Sequence, residues 1–261
     1  MIPHIIHYCW FGGNPLPELA EECMASWKKH MSKWEYMRWD ESNFNIAAAP
    51  LYVQQAYESK KFAFVSDYVR LWALEQYGGL YMDVDFMVYR PFDELMDKYP
   101  AFAGYEGSKR NPVMMGVLAS EPHGAWVKDM LSTYDTRTFY KSPSSVHSFN
   151  PSLVTMDLTP NTTYFSDRLE AQGFIPDGIE KDFTIPSLSG ETANIPSLHI
   201  FPVHYFCPVL TTGEDVRTSE TYCEHMRLGS WLGQNWKSYV MRCFGPKIRT
   251  KLIRLKRKII G

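Results

Sequence analysis

Two aspartates, Asp83 and Asp85, stand one residue apart in the run YGGLYMDVD at residues 77–85. From Leu80 to Tyr89 the chain alternates with a period of two, which predicts a strand. Leu80, Met82, Val84, Phe86 and Val88 then point one way, and Tyr81, Asp83, Asp85, Met87 and Tyr89 the other. On a regular strand Asp83 and Asp85 share a face, with Cα atoms about 6.8 Å apart. Neighbouring carboxylates repel each other unless a cation lies near them. Hard oxygen ligands suit Mg²⁺ or Mn²⁺, and Mg²⁺ completes its shell with substrate phosphates. Just upstream, Ser66, Asp67 and Arg70 stand at spacings of three and four, so on a helix they lie close together. Taken alone, the two aspartates also fit a solvated strand end, and Asp67 with Arg70 a surface ion pair.

These residues need a helix and a strand to hold them. Phe62, Val65, Val69 and Trp72 recur at helical spacing and predict a core-facing helix over about 62–77, stopped by Gly78. Before it, IIHYC (residues 5–9) reads as a buried first strand. Residues 19–30 read as a helix, Trp34 to Trp39 as a second strand and residues 51–60 as a further helix. That order suggests a βαβ arrangement with a parallel sheet. Further on, residues 91–98 are expected to be helical, 101–105 and 113–119 to be strands, 122–134 a helix and 199–206 a late strand. Residues 141–190 are rich in Ser, Thr, Pro and Asn, and are expected to be loops with short elements, a usual place for acceptor-binding parts.

The 261 residues allow one large domain with a sizeable core. We expect that domain over 1–236 and a separate tail over 237–261. Five widely spaced cysteines with no CxxC pair give no support to a disulfide framework or a structural zinc site. Reduced cytosolic thiols fit them best. No secretory leader pattern opens the sequence, and no apolar run approaches ~18 residues, so no transmembrane helix is expected. The net charge of −2 conceals an asymmetry: residues 237–261 hold nine Lys or Arg and no acid, leaving −11 on the remainder.

Four stretches together resemble one family, the glycosyltransferases with a DXD motif (glycosyltransferase family 32-like). It includes the yeast initiating α-1,6-mannosyltransferase and bacterial capsular polysaccharide transferases, and more distantly the glucosylating clostridial toxins. The stretches are IPHIIHYCWFGG (residues 2–13), FVSDYVR (64–70), YGGLYMDVD (77–85) and His225 to Trp231. The resemblance implies a GT-A fold, a single-domain Rossmann-like α/β/α sandwich. It also implies a retaining, metal-dependent hexosyltransferase that uses Mn²⁺ or Mg²⁺ and a nucleoside diphosphate sugar. Carried over by position, Asp83, Asp85 and His225 would attend the metal, and Asp67 and Arg70 the donor sugar and its phosphate. Tyr8, Trp10, Ser66 and Gly79 would add to donor binding, with Trp10 packing on the nucleobase, while Ser230 and Trp231 would close over the pyrophosphate. A paired histidine found in the fuller family form is replaced here by Glu224-His225-Met226. His225 therefore also reads as a structural histidine, and Trp10 as a core aromatic.

In the tail, Ile248, Leu252, Leu255 and Ile259 fall at helical spacing among basic residues. A basic amphipathic helix over 245–261 suits an anionic membrane surface. The expectation is an enzyme peripheral at the inner face of a bacterial cell membrane, acting on a lipid-linked glycan acceptor in capsule, O-antigen or exopolysaccharide synthesis. UDP-hexose is favoured as donor over GDP-mannose, and nucleic-acid binding is not expected. A catalytically silent nucleotide-sugar or glycan-binding module is the alternative of a different class. A phosphohydrolase built on the two aspartates is a third reading, but it gives Asp67 and Arg70 no role.

Overall fold

The structure is a computed structural model and describes residues 1–107, 112–141, 155–185 and 198–228. The chain opens with strand β1 (Ile5–Cys9), helix α1 (Glu18–His30) and strand β2 (Glu35–Trp39). Acidic Glu18 and Glu21 begin α1 and basic Lys28, Lys29 and His30 end it, which complements the helix dipole. Helices α2 (Leu51–Glu58) and α3 (Phe62–Tyr77) follow. Next come β3 (Gly79–Met82), β4 (Phe86–Val88), α4 (Asp93–Lys98), β5 (Ala101–Gly104), β6 (Val117–Ser120) and α5 (Ala125–Ser132). The rest is β7 (Tyr140–Lys141), β8 (Thr155–Met156), α6 (Asn161–Ala171), β9 (Lys181–Phe183), β10 (Leu198–Phe201), α7 (Val203–Phe206) and β11 (Cys223–His225).

Seven strands make one sheet in the order β2-β1-β3-β6-β5-β10-β9. β1 lies parallel to β2 and β3, as the opening βαβ pattern predicts, and β10 lies parallel to β5. β6 runs antiparallel to both β3 and β5, and β9 antiparallel to β10. The fold is therefore α/β with a mixed sheet. Only 12 residues separate β5 from β6, with no helix among those described, and a parallel pairing needs a crossover, usually a helix. One face is covered by α2, α3, α5 and α6, where Val65 and Val69 are wholly buried and Phe62 and Trp72 partly so. The other face carries α1, α4, α7 and the β4–β11 pair.

Three expectations are corrected. The strand expected over Leu80 to Tyr89 is two strands with a turn at Asp83-Val84-Asp85, closed by the Phe86 amide on the Asp83 carbonyl (3.2 Å). β4 leaves the main sheet because α1 and β11 take up its backbone. Trp27 Nε1 donates to the Phe86 carbonyl (2.7 Å), the Val88 amide donates to Ser26 Oγ (2.8 Å), and β4 pairs antiparallel with β11. In the loop-rich middle, α6 buries Asn161, Phe165, Ser166 and Leu169 along one side; its polar composition hid a helical stripe. The late strand stops at Phe201, where Pro202 lacks the N–H to continue and instead precedes α7. The tail over 237–261 lies outside the described residues.

His7 ties the first strands to the end of α3. It is fully buried; Nε2 donates to the Gly78 carbonyl (2.8 Å), and Nδ1 accepts from Trp39 Nε1 (3.2 Å). Burial lowers its pKa to about 4, against the smaller opposing pull of the Gly78 hydrogen bond. Gly79 starts β3 at a φ of +112°, and a Cβ there would meet the Ile5 carbonyl at 2.7 Å, so only glycine lets β3 lie this close to β1. Because the folded chain holds His7 neutral, its contribution to stability is complete above about pH 6.5 and is lost as the pH falls towards 4. That loss is on the order of 3 kcal/mol. Urea unfolding at pH 7 and pH 4 should show His7→Gln losing less stability over this interval than the wild type.

Candidate active site

The carboxyl ends of β1 and β3 lie side by side, with Ile6 opposite Leu80 and His7 opposite Tyr81. In α/β sheets this edge is where ligands bind. The candidate residues reach it from α3 on one face and from the β4–β11 pair on the other.

Arg70 lies at the centre and is only 6% exposed. Its Nε donates to the Ser66 carbonyl (3.2 Å) and its Nη1 to the Met115 carbonyl. Its Nη2 pairs with Asp67 Oδ1 at 2.9 Å and with Asp83 Oδ1 at 3.5 Å. The guanidinium also lies over the Tyr81 ring, 4.7 Å from its centroid, and the Tyr81 hydroxyl donates to Asp83 Oδ1 (2.7 Å). Asp67, Arg70 and Asp83 thus form one buried network. Each nitrogen of Arg70 has a partner inside the protein, and the residue positions two carboxylates.

Asp85 turns to the other face. Its Oδ2 accepts from the Leu228 amide (2.8 Å) and lies 3.3 Å from His225 Nε2. The His225 ring stacks on Phe86 with centroids 4.6 Å apart and planes 6° apart. That stack follows from the ladder, because Phe86 and His225 are register partners. Since Asp83 and Asp85 flank a turn, they do not share the face of a regular strand.

The environments push the two aspartates apart. Burial raises the Asp83 pKa, Arg70 opposes the rise, and the charge of Asp85 adds to it. Burial alone would raise Asp85 too, but His225 and the Leu228 amide more than offset this, and its pKa is lowered. Burial works against a charged His225, yet Asp85 holds its pKa well above the ordinary value. Asp67 is raised to about 6 by burial, despite the pull of Arg70.

Asp83 is the most open of the three carboxylates, with its side chain 31% exposed, against 14% for Asp67 and 12% for Asp85. Gly116 keeps it open. A Cβ there would lie 3.0 Å from Asp83 Oδ2 and 2.6 Å from the Phe86 ring. Two hard carboxylates at a turn, one with clear space beside it, fit a divalent cation that takes one or two protein oxygens. Among the described residues, no three His, Cys, Asp or Glu side chains are grouped to hold a metal. Of the expected set of Asp83, Asp85 and His225, the structure brings His225 against Asp85 at 3.3 Å.

The other expected donor-binding residues are less concentrated. The Ser66 hydroxyl turns back to the Phe62 carbonyl (3.0 Å). Tyr8 and Trp10 lie on the face opposite α3; Tyr8 packs edge-on to Trp27, and Trp10 Nε1 donates to the Asn14 carbonyl (2.6 Å). Gly79 stands at the far end of β3 from Asp83, against Ile5. Ser230 and Trp231 lie outside the described residues. Sequence reasoning missed Gly116, the Met115 carbonyl and Asn161, whose Nδ2 donates to the Asp67 carbonyl (3.3 Å). It also missed Arg137, held over the rings of Tyr52, Tyr134 and Tyr164. Only the Met-Met-Gly run before β6 could have hinted at Gly116.

Residues 17–102 match the family model described as the glycosyltransferase sugar-binding region containing DXD motif. Among curated proteins, glucan organizing enzyme 1 of Cryptococcus neoformans var. grubii is 33% identical over 85 residues, covering 30% of this chain and 23% of that protein. The match thus spans under a quarter of that relative's length. Among solved structures, a glycosyltransferase involved in the glycosylation of the major capsid of PBCV-1 matches at 12% identity and a TM-score of 0.44. It covers 97% of this chain and all of the other. The PaToxG glycosyltransferase matches at 16% identity and a TM-score of 0.41, over 50% of this chain and 59% of the other.

Arg70→Met should leave Asp67 and Asp83 buried without their cation and cost about 3–5 kcal/mol in denaturant unfolding. Adding Asp83→Asn to that variant should recover part of the loss.

Proposed function

We propose that this chain is a metal-dependent glycosyltransferase of GT-A architecture. It would move a hexose from a nucleoside diphosphate sugar to a glycan acceptor with retention of configuration. The observation that carries the reading is the charge balance at the sheet edge. Among the described residues, Asp67, Asp83 and Asp85 form ion pairs only with Arg70 and His225, with the charge of Arg137 also acting on Asp67. A divalent cation beside Asp83 and Asp85 would offset the repulsion that a diphosphate meets from these carboxylates. The match of residues 17–102 to the DXD sugar-binding region supports the same reading.

Asp83 and Asp85 would hold the ion, and Mn²⁺ or Mg²⁺ would supply the charge that stabilises the leaving diphosphate. Arg70 fixes Asp83 through one nitrogen and Asp67 through the same nitrogen, so the ion site and the sugar site move as one body. Asp67 Oδ2 accepts no hydrogen bond among the described residues, which suits it to a hydroxyl of the donor sugar. His225 keeps Asp85 ionised. Retention would follow from attack on the face that the diphosphate leaves. The bond from the anomeric carbon to the phosphate oxygen breaks, the bond to the acceptor oxygen forms, and the acceptor proton passes to the departing phosphate.

We favour UDP-hexose as the donor and a lipid-linked glycan as the acceptor, met at the inner face of a bacterial cell membrane. The basic stretch 245–261 supports this placement by its composition alone. No helix among the described residues is long and apolar enough to cross a membrane.

UDP release from UDP-hexoses should require Mn²⁺ or Mg²⁺ and fall by about 10²–10³-fold in Asp83→Asn or Asp85→Asn; full turnover in either would sink the metal assignment. Proton NMR of the glycoside product should show the donor's anomeric configuration. Removal of 245–261 should abolish co-sedimentation with anionic vesicles, and unchanged binding would remove the membrane reading.

A further inference from the structure

At the other end of the β4–β11 ladder lies a cavity of about 250 Å³. Tyr99, Phe201, Tyr205 and Tyr222 supply its rings, and Arg90, Lys98, Glu94, Glu180 and Glu220 its charges. Asp85 precedes β4 and Arg90 follows it, so the cavity and the reaction centre stand on the order of 15 Å apart. One sugar could not touch both, but a glycan chain could.

The polar groups are held in place. The Arg90 guanidinium lies over Tyr222 (4.3 Å from the centroid), and its Nη1 donates to the Ser219 carbonyl (3.2 Å). Glu180 is met by His199 Nε2 at 3.0 Å, and that ring is fixed in turn by Asp182 (2.7 Å) and by stacking on Tyr99. Glu220 accepts from the Tyr205 hydroxyl (3.2 Å) and lies 3.5 Å from His204 Nε2. Tyr205 stacks on Phe201 at 4.6 Å and nearly parallel to Tyr222 at 5.9 Å.

Three carboxylates against two cations leave no surplus of positive charge for a phosphate, and the charged rim does not suit a lipid chain. Interspersed donors and acceptors suit a neutral polyhydroxylated ring, whose hydroxyls both give and take hydrogen bonds. Phe201 and Tyr222 are buried beneath the cavity, so the partly open rings of Tyr99 and Tyr205 are the ones its C–H faces would meet. We propose that this cavity is a saccharide subsite that holds one neutral hexose unit of the acceptor, remote from the site of transfer. The acceptor part of this assignment rests on the proposed glycosyltransferase reading.

The test is saturation-transfer NMR on the full chain, with methyl α-glucopyranoside, methyl β-galactopyranoside and methyl α-mannopyranoside as probes. The wild type is compared with the Glu180→Gln/Glu220→Gln double variant and with Tyr205→Leu, each checked for an intact fold by circular dichroism. At least one glycoside should bind the wild type, and its affinity should fall about tenfold or more in one of the folded variants. If no glycoside binds, or if binding persists in both variants, the subsite is overturned. UDP release from UDP-glucose with Mn²⁺, measured on the wild type, separates the two readings. Pocket-dependent glycoside binding without UDP release from UDP-glucose or from the other UDP-hexoses would leave the subsite standing and remove the glycosyltransferase reading.

Discussion

A guanidinium buried at the edge of a β-sheet must be answered by groups that accept its hydrogen bonds and balance its charge, and Arg70 meets both demands. Its nitrogens reach the Ser66 and Met115 carbonyls and the carboxylates of Asp67 and Asp83. Those partners come from α3, from the turn that follows β3 and from the segment entering β6. The cation therefore locks three elements together at the place where two parallel strands end. Removing one partner of such a buried network exposes the others to the full cost of burial. Arg70 and the Tyr81 hydroxyl thus hold Asp83 Oδ1 while the side chain stays 31% exposed.

The second half of the site is built by different means. β4 breaks away from the main sheet, and α1 receives it through Trp27 and Ser26. β11 then pairs with β4 and brings His225 against Asp85. One aspartate is thus tied to the arginine network and the other to a histidine on a separate two-stranded ladder. A short turn connects them, so the two carboxylates stand close in the chain but in different electrostatic surroundings. The same ladder runs on to the ring-lined cavity at Tyr222.

Local patterns made much of this legible. The helix over 62–77 was readable from Phe62, Val65, Val69 and Trp72, and the meeting of Asp67 with Arg70 from their spacing. The first strands followed from IIHYC and from Trp34 to Trp39. What the pattern could not carry was partner choice. A period of two fits Leu80 to Met82 and Phe86 to Val88 equally well, and says nothing of the turn between them or of β4 pairing with β11. The burial of Arg70 was not legible either, because it depends on the Met115 carbonyl, which is 45 residues away. Helix α6 was hidden because Asn161 and Ser166 occupy buried positions where an apolar residue would have marked the stripe.

The central claim is that the carboxylates at the β3–β4 turn admit a diphosphate only together with a divalent cation. Isothermal titration calorimetry of UDP against the full chain, with and without Mn²⁺, addresses it directly. UDP should bind in the presence of Mn²⁺, and binding should weaken by about tenfold or more when the ion is chelated. Equal UDP affinity with and without the ion would contradict it.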